Sequence, residues 1–360
     1  MKRNAGGELL FADAGKVSAE DVKRIVDTLG VEPSGNLDIC SSVSVGVAVL
    51  QVLFKVYNNL EEYIADMNSY ILDAVNRRAQ IVVFPGFAGL LPISTSPMLR
   101  VHMPRLILPE SNQIRAALRA GGAKIDVHAL RDALVHLCDY TFDAYFYTMS
   151  TLAARHRVYI MAGSTLCFEN DELCHRAFLF SDEGEIAGYQ DKISEGPLEL
   201  ALEVPPESEI KVFHTPMGPV SILIGSDAHH FEIARVAARL GAKILLCPGA
   251  FADSYRPVDS TLGPNMRAQE NRVYTALSSL VGESWLGFSL EGGGRIFAPN
   301  EILRTKNGIA AKTSGLHQPE LTHAFLNLDR LDDIRNPYTD DRNKEFLEAN
   351  VDVLARGCRQ

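Results

Sequence analysis

The residues best suited to covalent or acid–base chemistry are spread thinly along this chain: Cys167, Cys174, Ser226, the adjacent pair His229 and His230, and Cys247. A hydroxyl or thiol nucleophile needs a base within reach, and an imidazole can act as that base or as a metal ligand. His229 and His230 have no carboxylate or cysteine at metal-ligand spacing, so packing or hydrogen bonding is their expected role. Cys167 and Cys174 straddle the approach to a hairpin and are placed to face each other, but their spacing fits no zinc signature. Cys247 closes the apolar run from Ile244 and reads as a small core residue. No cofactor motif and no metal-ligand set is found.

The elements that must position these groups follow from periodicity. Val22, Ile25, Val26 and Leu29 recur at helical spacing within residues 19–29. Residues 42–53, SVSVGVAVLQVL, form an apolar run that reads as a strand buried on both sides. Asn58 or Asn59 can cap a helix reaching about Arg78, with Leu60, Tyr63, Ile64, Met67, Ile71, Ala74 and Val75 on one face. A strand, Ile81 to Phe84, then stops at Pro85-Gly86, and the loop behind it is where chemistry would sit. The proline-punctuated stretch 89–109 is expected to be a lid. A long helix over 127–157 leads to a strand at 158–163 and a hairpin of 176–180 with 185–189, which delivers Tyr189-Gln190-Asp191-Lys192. Further strands are expected at 212–215, 219–224, 244–247, 275–281, 295–298 and 324–327, with helices at 230–240 and 265–274. Both crossover and hairpin connections occur, which predicts mixed sheets.

With 360 residues, 46% hydrophobic and 22% charged, the chain can bury a large core. Its net charge of −10 and scattered basic residues argue against nucleic acid as a partner. The six cysteines, which include Cys40, Cys138 and Cys358, form no C-x-x-C pair and are too sparse for a disulfide scaffold, so a cytoplasmic location is expected. The N-terminus lacks the apolar stretch of a secretion signal, and no segment is long and apolar enough to suggest a membrane span.

Three segments, in order, resemble the nitrilase superfamily of carbon–nitrogen hydrolases: Val82-Val83-Phe84-Pro85-Gly86; the hairpin from Gly184-Glu185-Ile186 to Tyr189-Gln190-Asp191-Lys192-Ile193; and Ile222-Leu223-Ile224-Gly225-Ser226-Asp227 with Glu232 and Arg235 behind it. Ala162-Gly163-Ser164, Leu240-Gly241-Ala242, Pro248 and Arg267-Ala268 with Glu270-Asn271 agree with it. The resemblance covers about residues 44–345. It implies an α/β fold, a four-layer αββα sandwich with mixed sheets over residues 43–345. An N-terminal appendage (1–42) precedes it and a tail (346–360) follows. It also implies a homodimer or higher homo-oligomer.

Members of that family use a cysteine thiolate, a glutamate that carries its proton, and a lysine that steadies the tetrahedral intermediate. Mapped onto this chain, the glutamate position falls on Gly86, the lysine on Lys192 and the cysteine on Gly225, while an auxiliary glutamate falls on Glu199. Glycine supplies neither a nucleophile nor a proton carrier. Shifting the elbow by one would offer Ser226 as nucleophile, at the cost of Asp227 and Glu232 falling out of step. A buried Lys192 needs a partner, for which Glu199 is the candidate. Three readings compete. The first is a catalytically silent homologue that binds a small amide or carboxylate through Lys192, Ser226 and His229, or regulates a partner. The second is an active hydrolase using displaced groups, and the third is a structural subunit whose pocket is filled, for instance by Phe231.

Overall fold

Val45, Val47 and Val49 stand on one face of the strand Ser44–Leu53 (β1) and Ala48, Leu50 and Val52 on the other, and all six are buried. A strand apolar on both faces requires a covering layer on each side. In the computed structural model one side is met by helices and the other by a second sheet. The described residues are 2–3, 9–10, 16–34, 44–96, 127–170, 172–252, 257–283, 289–335, 345, 348–349 and 351.

The first sheet runs β13 (Glu320–Asn327), β1, β2 (Ile81–Val83), β3 (Tyr159–Glu169), β4 (Glu172–Phe180) and β5 (Ile186–Asp191). The second runs β6 (Phe213–Thr215), β7 (Gly218–Ile222), β8 (Ile244–Ala252), β9 (Tyr274–Glu283), β11 (Arg295–Phe297) and β12 (Ile309–Lys312), with β10 (Ser289–Glu291) against the ends of β8 and β9. The two are joined where Gln51–Leu53 of β1 pair in parallel with Ser279–Val281 of β9. Both sheets combine parallel and antiparallel ladders, as the mixed connections predict.

Three apolar layers fill this frame. Val47, Val83 and Met161 of the first sheet meet Ile222, Leu246 and Ile296 of the second. The outer face of the first sheet packs on α2 (Leu60–Asn76) and α3 (Val127–His156), and that of the second on α5 (Phe231–Arg239) and α6 (Pro257–Asn271). The result is the four-layer αββα sandwich. The helix α2 starts where the Asn59 side chain accepts from Glu62 N–H at 2.8 Å, and it buries Tyr63, Ile64, Met67, Ile71, Ala74 and Val75, the stripe read from sequence.

The N-terminal helix α1 (Ala19–Thr28) is closed by a capping box between Ser18 and Asp21 and inserts Val22 and Val26 into the same core as α2 and α3. At the end of α3, Arg155 pairs with Asp27 and donates to Val31 O at 3.3 Å. Buried His156 bonds Asn68 Oδ1 at 2.6 Å through Nε2 and Ser34 Oγ through Nδ1. Burial, helped by the Arg155 charge, holds His156 down to about 4, so the ring that latches this segment is neutral.

Several boundaries differ from the sequence reading. β3 runs on to Glu169 because its ladder with β4 continues to the loop tip, where Cys167 lies opposite Cys174. α6 spans Pro257–Asn271 rather than 265–274, despite Gly263 and Pro264. The short elements β10, β12, α4 (Pro197–Leu202) and α7 (Leu328–Arg335) carry too little periodicity to be read in advance. Within the expected lid, residues 88–95 form buried 3-10 turns, while 97–126 lie outside the described residues, as does most of the tail. Among the described residues no helix is long and apolar enough to cross a membrane.

Candidate active site

Four strand ends deliver the site. β2 runs out into Phe84-Pro85-Gly86, β5 into Lys192, β7 into the 3-10 turn Gly225–His229, and β8 carries Pro248 to Phe251 past them. Between them lies a cavity of about 190 Å³, lined among others by Gly86, Ser164, His175, Lys192, Glu199 and Gly225.

Lys192 is buried, and its Nζ lies 3.3 Å from Glu199 Oε2 and 3.3 Å from Ser194 Oγ, with a further bond to Ser194 O. The partner expected from sequence is therefore in contact. Glu199, on α4, also takes Gly196 N–H at 3.0 Å on Oε2 and His175 Nδ1 at 2.8 Å on Oε1. Burial alone would raise its carboxyl, but the His175 bond and charge, with Lys192 behind them, hold it down to about 2. A carboxylate only accepts, so Nδ1 of His175 carries a hydrogen. The other ring nitrogen, Nε2, sits 2.8 Å from Ser164 Oγ, which also accepts Phe87 N–H at 3.0 Å. The Phe87 ring stacks on His175 with centroids 4.5 Å apart.

The two glycines differ. Gly225 has φ +55°, and a β-carbon there would sit 3.9 Å from Lys192 Cε with nothing else near. Gly86 donates its N–H to Gly249 O at 3.1 Å, and a β-carbon on it would meet Gly249 C and Pro248 O at 3.2 Å and Ala250 N at 3.3 Å. A side chain at Gly225 would enter open space, whereas one at Gly86 would press on the backbone of Pro248 to Ala250.

Asp227 fixes the elbow. Its carboxylate accepts Ile224 N–H (3.1 Å), Ser194 N–H (2.7 Å) and Ser194 Oγ–H (2.6 Å), which ties the turn to the segment after Lys192. Ser226 lines the cavity and its Oγ lies 2.8 Å from Ser194 Oγ. His229 does not line it: its ring stacks against Phe251, 6.0 Å between centroids, and Phe251 is the residue facing the cavity. Phe231 is half exposed at the start of α5 and fills nothing. Cys247 is buried with its Sγ toward Leu245 O, and burial, with Asp227 adding to it, pushes its thiol up. Cys167 and Cys174 are cross-strand partners and both free, and burial lifts Cys167 to about 12. Among the described residues no three His, Cys, Asp or Glu side chains are grouped to hold a metal ion.

Sequence reading missed His175 and overlooked Ser164 as a chemical group. Ser164 stood in a supporting motif. His175 carried one legible signal, a polar residue between Leu173 and Ala177 on the buried face of its strand.

The sequence profile described as Carbon-nitrogen hydrolase matches residues 46–316. The chain belongs to the carbon-nitrogen hydrolase family. The resemblance read from the three segments is thus borne out. This carbon-nitrogen hydrolase family member is 26% identical over 281 residues to "Probable hydrolase YhcX" of Bacillus subtilis (strain 168), covering 76% of this chain and 48% of that protein. The chain spans about half the length of that relative. It is 23% identical over 212 residues to "Omega-amidase NIT2" of Danio rerio, covering 56% of this chain and 74% of the relative. Two solved structures share the fold. A doubly substituted amidase from Nesterenkonia sp. AN1 in complex with acrylamide matches with TM-score 0.57 at 19% identity, over 86% of this chain and 98% of the other. Saccharomyces cerevisiae Nit3, of the nitrilase superfamily, matches with TM-score 0.58 at 17% identity, over 84% and 98%.

Proposed function

We propose that this family member holds a small carboxylate or amide against Lys192 and does not run the family's thiol-based hydrolysis. The observation that carries this reading is Gly225, whose missing side chain would project at the Lys192 side chain across open space. Among the described residues no cysteine lines the cavity, and a side chain at Gly86 would press on the backbone of Pro248 to Ala250. A volume of about 190 Å³ admits about six water-sized groups, enough for a short acid or amide. Two of the Lys192 contacts are long, at 3.3 Å, so a ligand oxygen can displace them. The three free cysteines among the described residues suit a reducing compartment such as the cytoplasm.

Thermal-shift measurements with short carboxylates and their amides should find a compound that raises Tm, and Lys192→Ala should abolish that shift. If every stabilising compound acts equally on Lys192→Ala, the binding site is not here.

We also propose a homodimer formed through the outer face of α5 and α6. Val236 with Leu240, which caps the C-terminus of α5, and Leu262 with Met266 on α6 stand one turn apart and are about half exposed, so each pair presents an apolar stripe. Sedimentation of the wild-type chain should give a dimer, and Leu240→Asp with Met266→Asp a monomer. An unchanged dimer in that variant would place the interface elsewhere.

A further inference from the structure

We infer that Ser164, His175 and Glu199 form a nucleophile–base–carboxylate relay able to accept a short acyl group from an activated ester or thioester. Ser164 Oγ lies 2.8 Å from His175 Nε2, His175 Nδ1 lies 2.8 Å from Glu199 Oε1, and all three residues line one cavity. This is the chain of contacts that a hydroxyl nucleophile needs: a base within reach and a third group that fixes the base. Because Glu199 can only accept, Nδ1 carries a hydrogen, and in the neutral ring Nε2 then faces the serine hydroxyl as acceptor. Lys192 contacts the other oxygen of Glu199 and brings a positive charge to the same cavity, where an oxyanion would develop.

The serine is covered, not exposed. Ser164 has no solvent-accessible surface, and the Phe87 ring lies on His175 above it. Phe87 is the residue that must turn aside, and it is held in a left-handed conformation, φ +57°, that a phenylalanine adopts only under constraint. A strained aromatic cover over a polar triad accounts for both features together.

The step balances within these residues and water. As the Ser164 Oγ–C bond forms, the hydroxyl proton passes to His175 Nε2. The bond to the leaving oxygen or sulfur then breaks, and that atom takes the proton from His175. Water attacks the acyl-Ser164 ester, giving its proton to His175, and the serine oxygen recovers it as the acid departs. The cavity volume restricts the acyl group to a few carbons.

The experiment incubates the full chain with 4-nitrophenyl acetate and, separately, with a small sulfonyl fluoride, following nitrophenolate release and the mass of the labelled peptide. Mass should be added at Ser164, and Ser164→Ala and His175→Gln should each slow release by about a hundredfold. Cys174→Ser, outside the cavity, should leave it unchanged. Ser164→Cys preserves the volume and should retain the acyl group as a thioester of the expected mass, which separates loss of chemistry from loss of fold. Label on another residue, or release unaffected by Ser164→Ala and His175→Gln, overturns the relay. Failure here with a Lys192-dependent thermal shift intact leaves the binding proposal standing, and labelling of Ser164 without that shift removes the binding proposal alone.

Discussion

Glu199→Ala lowers the stability of the fold by about 3–5 kcal/mol, the cost of leaving a buried charge without its partner. The carboxylate is the hub of its surroundings: it holds Lys192, His175 and the first turn of α4 at once, and removing it strands a buried ammonium. Urea denaturation at pH 7 measures the loss, and a change below about 1 kcal/mol would mean that solvent reaches Lys192 freely. Glu199→Gln tests the charge itself. The folded carboxyl titrates near 2 against an ordinary 4.5, so its stabilisation is complete above about 4.5 and drains away as pH falls toward 2. The gap between wild type and Glu199→Gln should therefore narrow across that window and stay constant above it. A gap independent of pH would show that the charge contributes nothing.

The two glycine positions respond in opposite ways to refilling. Gly225→Cys should be tolerated at a cost of about 1 kcal/mol for the left-handed backbone, since its β-carbon meets only Lys192 Cε at 3.9 Å. Its thiol, beside a buried cation, should be alkylated by iodoacetamide faster than any other in the chain. Gly86→Glu meets backbone on β8, which is held in ladders by β7 and β9, so the obstruction cannot swing away. It should cost about 1–3 kcal/mol, as overpacking does. The double variant should then carry a reactive thiol and still release no ammonia from short amides. Mass spectrometry of the alkylated protein and an ammonia assay read both halves. Amide turnover in the double variant would show that the obstruction at Gly86 is readily relieved.

Much of this was legible in the residues because the signals are local. The two-faced apolar run of β1, the Asn59 cap and stripe of α2, and the turn residues Pro85-Gly86 after β2 each declare an element within a few positions. The family segments named Gly86, Lys192 and Gly225 together, and all three line one cavity. What escaped depends on packing between distant segments. Nothing near His175 announces that it joins a serine eleven residues back to a glutamate on another element. Gly263 and Pro264 argue locally against helix, yet α6 passes through both, and a side chain at Gly263 would collide with the His229 ring. Proximity to the elbow suggested that His229 faces the pocket; the turn directs it toward α6 instead, and Phe251, from a different strand, takes the wall.

The pairing of β1 with β13, register Ser44 to Asn327 through Gln51 to Glu320, brings the first and last strands of the sandwich side by side. On the ribosome, the strand that begins the domain waits for almost the whole of it to be synthesised before its outer edge is covered. An apolar strand with one bare edge invites pairing with other chains. The sheet therefore closes only once residues 320–327 have been made, and a product truncated before residue 320 leaves the tunnel with that edge bare.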